Sequence, residues 1–359
     1  MHSDPQGGTR KLTFAQAVNE ALYQAMEADE SVICYGLGVT DPGGVFGTTK
    51  NLESAFGSER VFDMPTSENA MTGVAVGAAI GGLRPVMTHQ RLDFFLLAMD
   101  QLVNSAAKWH YMFGGQFNVP ITIRLIIGRG WGQGPTHSQS LHSWFTHIPG
   151  LKVVMPATPA DAKGLLLASI SDPNPVIFLE HRWLHNVEDI VPIENFQVPL
   201  GTANLVGEGS DLTIVSSGIL TMEAIAISPL LREAGIEVDI LDLRSLSPVD
   251  WAAIKCSVAK TGKILVLDAA TRSGSLAESI VSRISIEMGD NLKKSPIILA
   301  HPDGPEPTSY GLTRNFHVRG EDILSAAGEL CDTNIQGVVK KVFNREPHDV
   351  PGSWFQGPF

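Results

Sequence analysis

The chain has 359 residues, about twice the length of a typical domain, and 43% of them are hydrophobic, so we expect two domains with substantial cores. The formal net charge of -12, without a lysine- or arginine-rich run, argues against a nucleic-acid partner, whose phosphates this chain would repel. No apolar run approaches the ~20 residues of a membrane span, the first residues lack a signal or transit pattern, and the three cysteines are widely scattered. We therefore expect a cytoplasmic protein without a membrane partner.

The first half of the chain alternates between predicted helices and strands. Phe14, Val18, Leu22 and Met26 recur at four-residue spacing, which is typical of a helix with one buried face. Strands are then predicted at residues 31–35, 84–89, 121–127, 151–155 and 175–179, and helices at 96–112 and 159–170. This alternation indicates an α/β fold in which helices cover both faces of a parallel sheet.

The second half of the chain repeats this pattern after an irregular stretch. From His185 to Asp211 the sequence contains proline, glutamate and glycine and predicts a linker. Strands follow at 212–215, 238–243, 263–268 and 296–299, with helices at 222–234 and 276–288. Trp354, Phe355 and Phe359 stand among prolines and glycines near the C-terminus. We therefore expect a lead-in at 1–10, a first domain at 11–185, a linker at 186–211, a second domain at 212–335 and a tail at 336–359.

The carboxylate of Glu68 is the first candidate for chemistry. It stands where a predicted strand ends and a glycine- and alanine-rich helix begins, the usual place for ligands at a parallel sheet. The alternative is a structural helix start, in which Thr66 or Ser67 caps the helix and Glu68 favours its dipole. The residues alone leave both interpretations open.

A glycine-rich loop at residues 128–139 carries the second candidate, His137. The loop follows the most apolar predicted strand, and such a loop is uncommon in a compact domain unless it has a function. His137 lies at its far end, beside Ser138 and Gln139, which can hydrogen-bond. The alternative is a structural histidine whose ring is satisfied inside the fold. The glycines form no phosphate-binding motif, because neither GxGxxG between a strand and a helix nor GxxxxGK[ST] is present.

Several ordered blocks of the sequence resemble one known family. They include Pro65-Thr-Ser-Glu68, His137-Ser-Gln139 and the stretches at 98–108, 114–120, 149–154, 161–165 and 172–175. From about residue 11 to residue 330 the chain resembles β subunits of thiamine diphosphate-dependent 2-oxoacid dehydrogenase E1 components, such as those for pyruvate, branched-chain 2-oxoacids and acetoin. The resemblance implies a transketolase-like pyrimidine-binding domain with a parallel sheet, followed by a transketolase C-terminal-type α/β domain.

The resemblance also implies roles for individual residues. Glu68 matches the glutamate that bonds N1′ of the cofactor's aminopyrimidine, where a carboxyl group can share a proton with the ring. Phe94 matches the aromatic residue that packs on the pyrimidine, and His137 matches the histidine that faces the substrate and aids acyl transfer. The positions that hold a potassium ion in some members correspond to Ile121, Ser169, Ile170, Asp172 and Asn174.

A motif that this chain lacks implies a second subunit. Members of the superfamily bind the cofactor's diphosphate and Mg²⁺ through a Gly-Asp-Gly motif and a later asparagine, and this sequence contains no Gly-Asp-Gly. The resemblance therefore implies an α-type E1 subunit that supplies those ligands in an α2β2 heterotetramer. A lipoyl acyltransferase core is a further implied partner.

Two features depart from the family pattern and keep other functions open. His89 and Arg91 stand where these β subunits usually have neutral or apolar residues, and both are candidates for the substrate pocket. The aromatic tail extends beyond the usual end, in the region where some β subunits dock the acyltransferase core. One alternative is a split transketolase-like or carboligase subunit that transfers a two-carbon unit to an aldehyde. Another is a non-catalytic partner that stabilises a second subunit, against which the intact Glu68 and His137 argue.

Overall fold

A computed structural model of the protein describes residues 8–129 and 132–342. The chain forms two compact units: the first holds residues up to Ile126 together with Ile148–Leu200, and the second holds Ile127–His147 and residues from Gly201 onward. The glycine-rich loop that carries His137 therefore belongs to the second unit. Most of the predicted lead-in and the tail residues Trp354, Phe355 and Phe359 lie outside the described residues.

The first unit is built on a parallel sheet. Its strands are β1 (Thr9–Thr13), β2 (Val32–Gly36), β3 (Val61–Asp63), β4 (Arg84–His89), β5 (Thr122–Ile127), β6 (Lys152–Val154), β7 (Val176–His181) and β8 (Glu188–Pro192). Among the strands of this unit, the order in the sheet is β6-β7-β5-β4-β2-β3. In it β2 pairs in parallel with β3 and β4, β4 with β5, and β6 with β7. A separate antiparallel pair joins β1 to β8.

Helices follow the strands of this unit. They are α1 (Phe14–Ala28), α2 (Leu52–Phe56), α3 (Glu68–Ile80), α4 (Leu92–Phe95), α5 (Ala107–Met112) and, after α6 (His142–Thr146) of the second unit, α7 (Pro159–Ser171). A capping box of Thr13 and Gln16 starts α1, and all four residues of its predicted apolar face are buried. The helix predicted at 96–112 is helical at every residue but is not α-helical throughout, because a 3-10 turn at Leu96–Ala98 and a π-helical segment at Gln101–Ala106 precede α5. Apolar periodicity did not reveal the change, because a π turn adds only one residue to a helical turn.

The second unit is built on a mostly parallel sheet. Its strands are β9 (Asn204–Gly207), β10 (Leu212–Ser216), β11 (Val238–Asp242), β12 (Ser245–Ser247), β13 (Ile264–Thr271) and β14 (Ile297–His301). In the sheet order β14-β13-β10-β11-β9, β9 runs antiparallel to β11 and the other neighbours are parallel. The remaining helices are α8 (Ile219–Glu233), α9 (Trp251–Thr261), α10 (Leu276–Met288), α11 (Tyr310–Thr313), α12 (Gly320–Leu330) and α13 (Gln336–Val342). Apolar residues of β10, β11 and β13 pack with those of α8 and α12 in its core.

The predicted α/β fold is confirmed in both units. Strand β4 and helix α10 occupy the residues that the sequence predicts for them. The irregular stretch from 186 to 211 contains β8 and β9, which the sequence did not predict because each pairs with a strand distant in the chain. Within the described ranges, no helix combines the length and the apolar character needed to cross a membrane.

Candidate active site

Glu68 is the first residue of α3, beyond the carboxyl end of β3. The buried residues of this helix are Glu68, Thr72, Ala75, Val76 and Ala79, so the glutamate begins the buried face. Glu68 is only 4% exposed, and its carboxylate has no hydrogen-bond or ion-pair partner within the described part of the chain. Its oxygens retain some contact with solvent, so a ligand can reach them. The site is therefore suited to a ligand that offers this carboxylate a hydrogen-bond donor or a proton.

The structural alternative for this helix start finds little support. Ser67 occupies the N-cap position, with φ -152° and ψ 67°, but its side chain makes no capping hydrogen bond. Glu68 in the first turn still has a favourable interaction with the helix dipole. That interaction alone does not account for a buried carboxylate, because first-turn acidic residues interact with the dipole equally from the exposed face.

Three more predicted site residues follow β4, at the same sheet edge as Glu68. His89 is the last residue of β4, Arg91 immediately precedes α4, and Phe94 lies within α4. Arg91 is buried, whereas Phe94 is 38% exposed beside the fully buried Phe95. The Phe94 ring is therefore accessible to a planar ligand for stacking, in contrast to the core packing that is its structural alternative.

His89 has a buried ring nitrogen without a partner. Burial lowers the pKa of His89 to about 3, so the imidazole is neutral at neutral pH. Its ring meets Phe95 edge-on, with the ring centroids 4.8 Å apart. The Nε2 atom is buried and has no hydrogen-bond partner among the described residues. A buried polar atom without a hydrogen bond destabilises the folded state by about 1–3 kcal/mol. A ligand that hydrogen-bonds to Nε2 would remove that cost.

A buried ionic network in the same unit was not predicted from the sequence. On β5, Arg124 donates through Nε and Nη2 to both carboxylate oxygens of Glu180, at 2.6 and 3.0 Å, and both residues are fully buried. The Nη1 atom of Arg124 also donates to Thr88 (3.2 Å), and Nε2 of His185 lies 3.2 Å from Glu180. Although burial opposes its charge, Arg124 and His185 lower the pKa of Glu180 to about 2. The available signal was an arginine in the middle of an apolar strand, because a buried charge requires a partner.

His137 lies in the glycine-rich loop of the second unit. The loop contains a 3-10 turn at Gly134–Thr136, and His137 follows it, partly exposed, with Nδ1 2.9 Å from Oγ1 of Thr136. Ser138 next to it is buried, and its hydroxyl has no hydrogen-bond partner in the described ranges. A partly exposed imidazole on a loop can meet a substrate and exchange a proton with it.

The residues predicted for potassium lie at the opposite edge of the first unit's sheet: Ile121 directly precedes β5, Ser169 and Ile170 lie in the last turn of α7, and Asp172 and Asn174 lie between α7 and β7. Nη1 of Arg84 donates to the main-chain oxygens of Ile170 (2.9 Å) and Asp172 (3.3 Å). Lys152 forms an ion pair with the carboxylate of Asp172. The Oδ1 atom of Asn174 is buried and lacks a partner within the described residues. These oxygens suit a cation chemically, but a guanidinium already contacts two of them.

Comparisons with known proteins identify the two halves of the chain. The transketolase pyrimidine binding domain model matches residues 10–186, and the transketolase C-terminal domain model matches residues 201–323. A solved structure described as a split gene transketolase in an inactive β4 tetramer has a TM-score of 0.73 at 19% identity, covering 89% of this chain and 98% of that one. At this identity the likeness supports the fold alone.

Relatives that align with most of the chain indicate a narrower family than the two domain models do. The β subunit of acetoin:2,6-dichlorophenolindophenol oxidoreductase of Cupriavidus necator is 40% identical over 328 residues, covering 89% of this chain and 97% of the relative. The β subunit of the pyruvate dehydrogenase E1 component of Acholeplasma laidlawii is 40% identical over 306 residues, covering 85% and 94%. The chain therefore belongs to the transketolase-like family of 2-oxoacid dehydrogenase E1 β subunits.

Proposed function

We propose that the chain is the β subunit of an E1-type enzyme that decarboxylates a 2-oxoacid on thiamine diphosphate and transfers the acyl unit to a lipoyl acceptor. The observation that carries this proposal is the buried Glu68 carboxylate, which lies at the ligand-binding edge of a parallel sheet and has no partner within the described residues. The relatedness to pyruvate and acetoin enzyme β subunits supports the same activity.

Glu68 holds a proton at the aminopyrimidine end of the cofactor. Thiamine diphosphate, when bound, supplies the carbanion that attacks the substrate carbonyl. The carboxyl group of Glu68 would share a proton with N1′ of the bound pyrimidine. Its low exposure suits the role, because few waters compete with N1′ for a side chain that is 4% exposed.

Phe94 has a role in orienting the cofactor, and His137 has a role in acyl transfer. The accessible ring of Phe94 stacks on the pyrimidine and orients it. His137 donates a proton to the acceptor during acyl transfer, a step for which a positioned acid or base is worth ~10²–10⁴-fold in rate. His89 and Arg91 line the substrate pocket, where the neutral imidazole of His89 offers a hydrogen bond and Arg91 a positive charge.

The diphosphate half of the site belongs to a partner. Because this chain has no Gly-Asp-Gly motif, an α-type E1 subunit provides most of the Mg²⁺ and diphosphate ligands in a cytoplasmic α2β2 heterotetramer. Residues 11–185 form the pyrimidine-binding domain and 212–335 the second domain, joined by the 186–211 segment. Potassium bound by oxygens of Ile121, Ser169, Ile170, Asp172 and Asn174 completes the proposed set of ions, and a lipoyl acyltransferase core is the proposed further partner.

A split transketolase-like or carboligase activity is the second candidate. The buried, unpartnered Nε2 of His89 favours it, because a neutral imidazole can hydrogen-bond the hydroxyl groups that a ketose or sugar aldehyde carries. The enzyme reconstituted with its α-type partner discriminates the two. Acylation of a lipoyl domain from a 2-oxoacid supports the first function, and transfer of a two-carbon unit from a ketose to an aldehyde supports the second.

Calorimetric titration tests the divided site. The isolated chain should give little heat with thiamine diphosphate and Mg²⁺, and addition of the α-type partner should restore binding, because the diphosphate ligands come from that subunit. Micromolar binding by the isolated chain would contradict the two-chain site.

A further inference from the structure

The glycine-rich loop that carries His137 is followed by a buried hydrogen-bonded pair of the second unit. His142, five residues after His137, is the first residue of α6, and its Nε2 atom lies 2.7 Å from Oδ1 of Asp268 in β13. Both side chains are almost completely buried. Neither residue was a candidate for function from the sequence.

The carboxylate of Asp268 has two further hydrogen bonds besides its contact with His142. They come from the main-chain N–H groups of Ala270 (2.9 Å) and Ala277 (3.1 Å), so both oxygens are engaged. Burial alone would raise the pKa of Asp268, but the imidazole of His142 and the two N–H groups lower it, and the carboxylate is ionised. The adjacent Ser143 accepts a bond from the N–H of Leu276 (3.2 Å) at the start of α10. Two consecutive residues of α6 are thereby attached to the end of β13 and the start of α10.

In the described part of the loop, the regular structure is a 3-10 turn at Gly134–Thr136. Gly128, Gly132 and Gly134 have positive φ, a region that glycine adopts freely, and Gly134 lies against Thr308. The preceding strand β5 fixes one end of the loop, and the His142–Asp268 pair fixes the other. His137 lies closer to the second end, so its position depends in part on how firmly that end is held.

We propose that Asp268 and His142 are positioning residues that hold His137 in its catalytic place. This inference rests on the proposed catalytic role of His137, and it adds that the His142–Asp268 pair determines where His137 lies. A displacement of about 1 Å in an active-site group can cost about 10²-fold in rate. Loss of the pair should therefore lower turnover although neither residue contacts the substrate.

Three variants test the pair in the enzyme reconstituted with its α-type partner. Asp268→Asn keeps the size of the side chain but places an amide donor against groups that are themselves donors. His142→Met removes the imidazole donor and leaves the two main-chain bonds of Asp268 intact, which keeps the test valid if Asp268→Asn does not fold. His142→Gln keeps a nitrogen donor near the position of Nε2 and should rescue the function.

Asp239→Asn is the matched control. Asp239, in β11 of the same unit, is also buried and also accepts three hydrogen bonds, from Ser257 (2.6 Å), Lys260 (2.6 Å) and the N–H of Gly209 (2.9 Å). It has no hydrogen bond to the loop, so its replacement reproduces the loss of a buried aspartate without releasing His137.

Two measurements decide the outcome. Hydrogen–deuterium exchange of the amides at residues 132–141 should accelerate at least about 10-fold in Asp268→Asn and His142→Met, and kcat should fall about 10–100-fold with KM for the 2-oxoacid little changed. His142→Gln and Asp239→Asn should resemble the wild type in both. Unchanged exchange in both pair variants, or an equal loss of kcat in Asp239→Asn, overturns the proposal.

The same data separate this proposal from the proposed role of His137. Accelerated exchange with normal kcat, accompanied by normal kcat in His137→Ala, refutes the catalytic role of His137 and supports the hold of the pair on the loop. A fall in kcat for His137→Ala together with normal exchange in the pair variants refutes the positioning role alone.

Discussion

Glu180 and Glu68 are both buried glutamates of the first unit, and their surroundings are opposite. Glu180 receives two hydrogen bonds from Arg124 and one contact from His185, so its charge is neutralised inside the chain. Glu68 begins α3 at the sheet edge, and its carboxylate has no partner within the described residues. A carboxylate that the chain itself satisfies has a structural role, whereas one that the chain leaves unsatisfied is available to a ligand.

The comparison predicts the largest effect for Glu180→Gln. This change leaves the Arg124 guanidinium buried without its counter-charge, and removal of one partner from a buried ion pair costs about 3–5 kcal/mol. Urea unfolding of the variant should show that loss at pH 7. The control is Glu188→Gln, which breaks the solvent-exposed pair with Lys11 and should change stability by less than about 1 kcal/mol. Equal stability of the two variants would contradict the structural role of Glu180.

The contribution of the ionised Glu180 carboxylate to the free energy of unfolding should decrease as the pH falls. Because its pKa falls from 4.5 to about 2 on folding, the ionised carboxylate stabilises the folded state fully above pH 4.5, and that contribution is lost as the pH falls toward 2. The difference in unfolding free energy between the wild type and Glu180→Gln should therefore narrow between pH 5 and pH 3 on the urea curves. A difference that stays constant over this range would show that the pKa of Glu180 is not depressed.

The sequence predicted the elements whose signal is local. The four-residue spacing of apolar residues identified α1, and the apolar runs identified β4, β5 and β10, because these patterns depend on neighbouring residues. The pairing of β1 with β8 was not predicted, because it joins short polar segments whose partners are far apart in the chain. The π-helical segment at Gln101–Ala106 was missed because its apolar spacing resembles that of an α-helix.

The sequence likewise indicated some functional residues of the candidate site and not others. Glu68 and His137 were candidates from their places at a helix start and on a glycine-rich loop, Phe94 was a candidate from the family resemblance alone, and the roles of all three stay predictions. Arg124 and Glu180 are 56 residues apart, and no local pattern indicates that they meet. The same holds for His142 and Asp268, 126 residues apart, whose contact depends on the packing of the second unit. Side-chain networks of this kind follow from tertiary contacts and not from periodicity.

Glu68→Gln should give the smallest change in stability and a large change in chemistry. Glutamine keeps the size of the side chain and removes a buried charge that has no partner within the described residues, so the unfolding free energy should stay within about 1 kcal/mol of the wild type. The amide cannot pass a proton to N1′, so exchange of the C2 hydrogen of bound thiamine diphosphate for deuterium should fall sharply in the reconstituted enzyme. The same substitution at Glu180 should give the reverse profile, with lower stability and normal exchange in the molecules that remain folded. Normal C2 exchange in Glu68→Gln would indicate that this residue has only a structural role at the helix start. A decrease of about 3 kcal/mol or more in the unfolding free energy would show that its carboxylate has partners within the fold, as that of Glu180 does.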